Sequence, residues 1–189
     1  QATAGTFLIT DAEGGVADAD CNSTTATQGI NVQAASTVGE RFRPQADDVL
    51  IFEARLKAAD IATGPEFFVG LSVIDTTIIA ASANSSANHI GFESVTDDNV
   101  LLFHSESGGT RSSTTTPHTL VDDTFVKLGF RVKGTEKIEV FVDGVKFGET
   151  IETNIPTELM VPSLVCQSGG TTDPIVSLDW WRCAQIVGS

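Results

Sequence analysis

The sequence predicts an all-β protein, built as an antiparallel β-sandwich. Three observations carry that expectation. Residues suited to a half-buried pleated surface are abundant, with 23 Thr and 11 Phe among 189 residues. Apolar and polar residues alternate with period two through several segments, the mark of a strand with one face in water. Good helix formers are scarce, with 11 Lys and Arg and a single Met, so no helix longer than two turns is expected.

The elements follow in order. Residues 1–47 read as an N-terminal arm with short strands, Thr6–Thr10 and Gln28–Val32, separated by a Gly-, Ala- and Asp-rich loop from Asp11 to Ala19. This segment is either an extended arm or a first strand tucked into the sheet. Residues 48–189 read as the sandwich domain. Phe52, Ala54 and Leu56 alternate with Glu53, Arg55 and Lys57. The continuous apolar run Phe67–Val73 reads as a central strand. Ala80–Asn88 is a polar loop, and single helical turns are expected at Asp60-Ile61 and Thr157–Leu159. His89–Glu93 and Val100–His104 flank the turn cluster Thr96–Asn99 and form a hairpin. Val126–Lys133, Lys137–Val142 and Val145–Gly148 form a meander, joined by Gly134-Thr135-Glu136 and by Asp143-Gly144. The second is a type I′ turn signal, because both central residues need positive φ. Met160–Ser168 contains Pro162, which places that strand near an edge or puts Pro162 at a strand start. In the closing strand, Ile175–Val187, strict alternation puts Trp180 on one face with Val176 and Leu178, and Trp181 on the other.

Charge narrows the function. The chain carries 25 acidic and 11 basic residues, a formal net charge of −14. Such a balance argues against nucleic acid and against an anionic membrane surface as partners. No apolar run approaches the ~20 residues of a membrane-crossing helix. Residues 1–40 hold five acids, Asp11, Glu13, Asp18, Asp20 and Glu40, and no Lys or Arg.

Catalytic and metal motifs are thin. A carboxylate pair for glycoside hydrolysis stands about 5 Å apart when the sugar configuration is retained, yet Glu53 and Glu93 each stand alone on their strands. Asp97-Asp98-Asn99 offers oxygen ligands for calcium but no EF-hand spacing. His89 and His104 face each other across the expected hairpin on a partly exposed surface, without an evident third zinc ligand. Gly108-Gly109 and Gly169-Gly170 lack the Lys-Ser/Thr of a phosphate loop. The three cysteines, Cys21, Cys166 and Cys183, read as buried thiols in a reducing compartment, or as one bridge from Cys21 to the C-terminal strand and one thiol left over.

The segments Phe125–Val132 and Ile138–Val145, with Phe52–Leu56, Phe67–Leu71 and the closing Ile175–Arg182, resemble the concanavalin-A-like (laminin-G-like) jelly roll, in which a strand of alternating apolar residues ends in Asp-Gly and turns tightly into the next. The resemblance covers residues 48–187. A narrower resemblance is to the capsid decoration (cement) proteins of tailed phages. It implies a non-enzymatic virion structural protein, assembled in the host cytoplasm and mounted on the capsid surface. Its partners would be the major capsid protein and itself, as a homotrimer, with no cofactor and no catalytic residue. Contact residues expected on this basis are Phe7, Leu8 and Ile9 in the arm, with Phe141 and Trp181 at outward positions. The alternative is a glycan-binding, lectin-like module on a phage tail fibre or a cell surface. A degenerate glycosidase using Glu53 or Glu93 ranks last.

Overall fold

The computed structural model describes residues 2–3, 5–10, 14–35, 39, 41–59, 66–80, 83–94, 99–170 and 173–188. The strands are β1 (Ala2–Thr3), β2 (Thr6–Ile9), β3 (Ala17–Asp20), β4 (Gln28–Gln33), β5 (Val49–Ala59), β6 (Glu66–Ser72), β7 (Ile79–Ala80), β8 (Ala83–Asn84), β9 (His89–Ser94), β10 (Val100–Ser107), β11 (Thr110–Thr119), β12 (Val126–Lys133), β13 (Lys137–Val142), β14 (Val145–Ile151), β15 (Val161–Gln167) and β16 (Ile175–Ile186). No helix occurs among the described residues; Thr157–Leu159 is not helical, and Asp60-Ile61 lies outside them.

Two seven-stranded sheets make the sandwich. The first has the order β1-β4-β15-β6-β9-β10-β11, the second β14-β13-β12-β5-β16-β3-β2. Pairing within them is antiparallel except for β1 on β4. Strand β5 shows why the sequence folds this way. Its eleven residues alternate half-buried and buried without a break, so Leu50, Phe52, Ala54, Leu56 and Ala58 all face the core. Phe67, Val69 and Leu71 of β6 and Phe103 of β10 meet them from the first sheet. Four rings run from one sheet into the other: Phe52 stacks on Phe130 at 5.2 Å, Phe130 meets Phe103 at 5.5 Å, and Phe103 meets Phe92 at 4.9 Å.

The meander forms as the alternation predicts, and Asp143 and Gly144 take φ of 50° and 80°, as a type I′ turn requires. Three expectations need correction. The N-terminal segment is not an arm apart from the sandwich: β4 pairs with β15, β3 with β16, and β2 with β3. Part of the expected Asp11–Ala19 loop is the strand β3, because Ala19 supplies an inward apolar residue. The boundary at residue 47 therefore falls within one pair of sheets. Of the two alternatives for Pro162 the strand start holds: it is the second residue of β15, which lies inside the first sheet between β4 and β6.

The third correction concerns the tryptophans. A β-bulge between Leu178 and Trp180 inserts one extra residue, so Leu178 stands opposite Leu56 but Trp180 opposite Arg55 and Trp181 opposite Ala54. The alternation reverses there. Trp181 packs against the core, and Trp180 takes the outer face, where the Arg182 guanidinium lies 5.6 Å from its ring. Trp181 is thus not an outward contact residue.

Candidate functional site

Two features stand out. The first is a buried ionic cluster on the outer face of the first sheet. In β9 and β10, His89, Glu93, His104 and Glu106 point away from the sandwich core, opposite in direction to Ile90, Phe92 and Phe103. Register brings them together: Glu106 stands opposite His89 on one side and Arg111 of β11 on the other. Arg111 donates from Nε to Glu106 Oε2 at 3.0 Å and from Nη1 to Glu93 Oε1 at 3.3 Å. His104 Nδ1 lies 3.0 Å from Glu93 Oε1. The two rings meet edge to face, with Nε2 atoms 2.6 Å apart, and His89 Nδ1 lies 2.6 Å from the Ala87 carbonyl.

With its proton on Nδ1, His89 donates to the Ala87 carbonyl and offers Nε2 as an acceptor to His104 Nε2. Burial, with His104 and Arg111 beside it, lowers the His89 pKa to about 3, in keeping with a neutral ring.

The cluster is enclosed. His89, Glu93 and His104 are at most 2% exposed and Glu106 is 4% exposed, so the partly exposed histidine face expected from the sequence is a buried one. Further along the same sheet face, Gln167 donates to Glu66 at 2.6 Å, both buried. Residues 73–80 and 83–88 fold back over this face. Ile78 and Ile79 form a second apolar cluster with Phe68 and Val165. Asn31 donates to the Asp75 carbonyl at 2.7 Å, and Gln33 Oε1 accepts from the Asp75 N–H at 3.2 Å. Burial opposes ionisation of Asp75, but bonds from Ser85 and Thr77 outweigh it and hold this carboxyl below its ordinary value.

A pH dependence follows. His89 binds a proton in the unfolded chain near pH 6.5 and in the folded one only near pH 3. Its contribution is complete above pH 6.5 and is lost as pH falls through that window. The expected loss between pH 6.5 and 5 is about 2 kcal/mol, measured by urea unfolding, and His89→Gln should flatten that slope. Glu139, pulled down to about 2 mainly by its bond from Arg131, contributes stability that disappears only at lower pH.

The second feature is the edge strand β2. All four of its residues are exposed, with Phe7, Leu8 and Ile9 at 36%, 62% and 79%. Exposure on both faces means that this strand stands at the rim of the sandwich with its apolar side chains uncovered. Among the described residues no strand pairs with its other side, since it ends the sheet. Phe141 points outward, as the alternation predicts, into a shallow groove of about 250 Å³ beside Gly129 and Arg131, with the Arg131 guanidinium 5.8 Å from its ring. Thus β2 and Phe141 lie on the surface, and Trp181 does not join them.

Sequence reasoning paired the two histidines but missed Glu106 and Arg111. The readable signal was charge: once Glu106 and Arg111 are set opposite each other around the Gly108-Gly109 turn, the ion pair follows. Asp97 and Asp98, the candidate calcium ligands, lie outside the described residues. Among the described residues no group of three or more His, Cys, Asp or Glu is placed to hold a metal ion.

No family model and no curated sequence matches the chain. Solved structures do. The exoplasmic/lumenal domain of VIP36, in a form bound to Ca2+ and Man3GlcNAc, superposes with a TM-score of 0.67 at 10% identity, covering 98% of this chain and 83% of that one. A legume lectin-like domain from Entamoeba histolytica gives 0.64 at 11%, covering 97% and 88%. A prokaryotic β-1,3-1,4-glucanase from a mouse hindgut metagenome gives 0.61 at 13%, covering 93% and 81%. At such identities the likeness concerns the fold, and the same fold carries lectins and enzymes. The chain has the concanavalin-A-like jelly-roll fold.

Proposed function

We propose that this chain is a non-enzymatic structural protein that mounts on a protein shell, as the head decoration proteins of tailed phages do, and that it assembles as a trimer. The observation that carries the reading is β2, an edge strand with three large apolar side chains uncovered on both faces. Such an edge is a ready site for pairing with another chain. Asp18 and Asp20 on the neighbouring β3 give it an acidic rim, which suits a capsid surface with basic residues around an apolar strip. The buried carboxylates support the non-enzymatic part: Glu93 and Glu106 share Arg111 and have almost no surface for a substrate to reach.

Light scattering is expected to give a trimer mass, and the full chain is expected to co-sediment with empty heads from its source. Leu8→Asp combined with Ile9→Asp should reduce the bound fraction at least tenfold with an unchanged circular dichroism spectrum. A monomer would overturn the trimer, and undiminished binding by the variant would overturn the role of β2. Hydrolysis of a β-glucan that disappears on Glu93→Gln would overturn the non-enzymatic reading.

A second reading is glycan binding at the groove of about 490 Å³ between β11 and β14, lined by Ser112, Ser113, Thr150, Glu152 and Thr153. Hydroxyls and a carboxylate suit a sugar, although Ser112 already bonds Thr153 and Asn154. A specific glycan-array signal lost on Glu152→Gln would favour it.

A further inference from the structure

We infer that Cys21 and Cys166 form a disulfide that staples the N-terminal strands across the sandwich when the chain meets an oxidising medium, leaving Cys183 as the free thiol. The inference does not depend on the proposed function.

The two sulfurs lie 2.9 Å apart, and neither cysteine has any exposed surface. That is within about 1 Å of a disulfide bond length. Cys21 follows β3 directly, where the chain leaves the second sheet and crosses to β4 in the first. Cys166 sits in β15, flanked by Ile30 and Phe67. The crossing segment is already held in place. Cys21 N–H donates to the Pro174 carbonyl at 3.3 Å, Ser23 N–H to Asp173 at 2.8 Å, and Thr27 N–H to the Ser168 carbonyl at 3.1 Å. Bridging the sulfurs therefore asks for a side-chain adjustment and no movement of a strand.

Cys183 is a poor partner for Cys21. Asp20, next to Cys21, stands opposite Ile175, at the start of β16. Cys183 lies eight residues further along that strand, opposite Phe52, or about 25 Å at the rise of an extended chain. A bridge needs Cα atoms within about 7 Å. The bridge from Cys21 to the C-terminal strand, open on sequence grounds, is thus replaced by one to β15.

The reaction is thiol–disulfide exchange. One cysteine thiolate attacks a small-molecule disulfide such as oxidised glutathione and releases one glutathione thiol. The second cysteine then displaces the other glutathione, so that two protein thiols become one S–S bond and the oxidant becomes two thiols. Burial, with the Cys21 sulfur beside it, raises the Cys166 thiol well above its ordinary value. Exchange therefore takes place during folding or transient opening of the β2–β3 edge, not in the closed fold.

The bond would close a loop between residues 145 apart in sequence, which restricts the unfolded chain strongly. The test refolds the full chain with oxidised glutathione, unfolds it without reductant, alkylates it with a maleimide and maps the peptides. One adduct, on Cys183, with a linked Cys21–Cys166 peptide is expected, together with a thermal midpoint about 10 °C above that of the reduced chain. Cys183→Ser should keep both the link and the shift. Three adducts, a link that includes Cys183, or a lasting glutathione adduct on Cys21 or Cys166 would overturn the inference.

Discussion

Phe52→Ala is expected to destabilise the sandwich by about 3–5 kcal/mol. Phe52 has no exposed surface and stacks on Phe130 at 5.2 Å. It heads the run of four rings that ties β5 and β12 of one sheet to β10 and β9 of the other. Truncation removes apolar contact and leaves a space bounded by strands on every side, which neighbouring backbone cannot fill without breaking ladder bonds. Urea unfolding should show a lower midpoint with an unchanged slope. Leu8→Ala, on the uncovered edge strand, should stay within about 0.5 kcal/mol. That contrast separates residues that hold the fold from those available to a partner; a large loss at Leu8 would mean that β2 is part of the core after all.

Arg111→Met should cost about 2–4 kcal/mol at neutral pH. The guanidinium is partly exposed, with 34% of its side-chain surface open, but the two carboxylates that it serves are at most 6% exposed. Removing it strands two like charges in a poorly solvated place, a costlier state than never having built the cluster. Replacing Glu93 and Glu106 by Gln together in the Arg111→Met background should recover most of the loss. If the triple variant is no more stable than the single one, the cost arises from lost packing of the arginine stem and not from charge.

The sequence alone carried the architecture because strand alternation is a local property. Phe52 to Leu56, Val126 to Val132 and Ile138 to Val142 each declare a buried face through period two, and Asp143-Gly144 declares its own turn. The all-β sandwich, the meander and the outward position of Phe141 all follow from residues within a few positions of one another. The acidic balance belongs to the same level, since it depends on composition.

Tertiary structure decided whatever depended on register or on distant pairing. The bulge before Trp180 adds one residue, and one residue is enough to exchange the faces of two adjacent tryptophans. Strict alternation cannot reveal it, although the ion pair between Arg182 and Glu53 across the strands holds the shifted register in place. The burial of His89 and His104 depended on residues 73–80 and 83–88 folding back over the sheet, a contact between segments that carry no mutual signal. The same holds for Cys21 and Cys166, neighbours only because the chain passes from one sheet to the other between β3 and β4. Period and turn chemistry operate over a few residues and are written in order along the chain. Register, covering loops and the meeting of remote side chains are set by packing the whole sandwich at once, and so appear only when it is assembled.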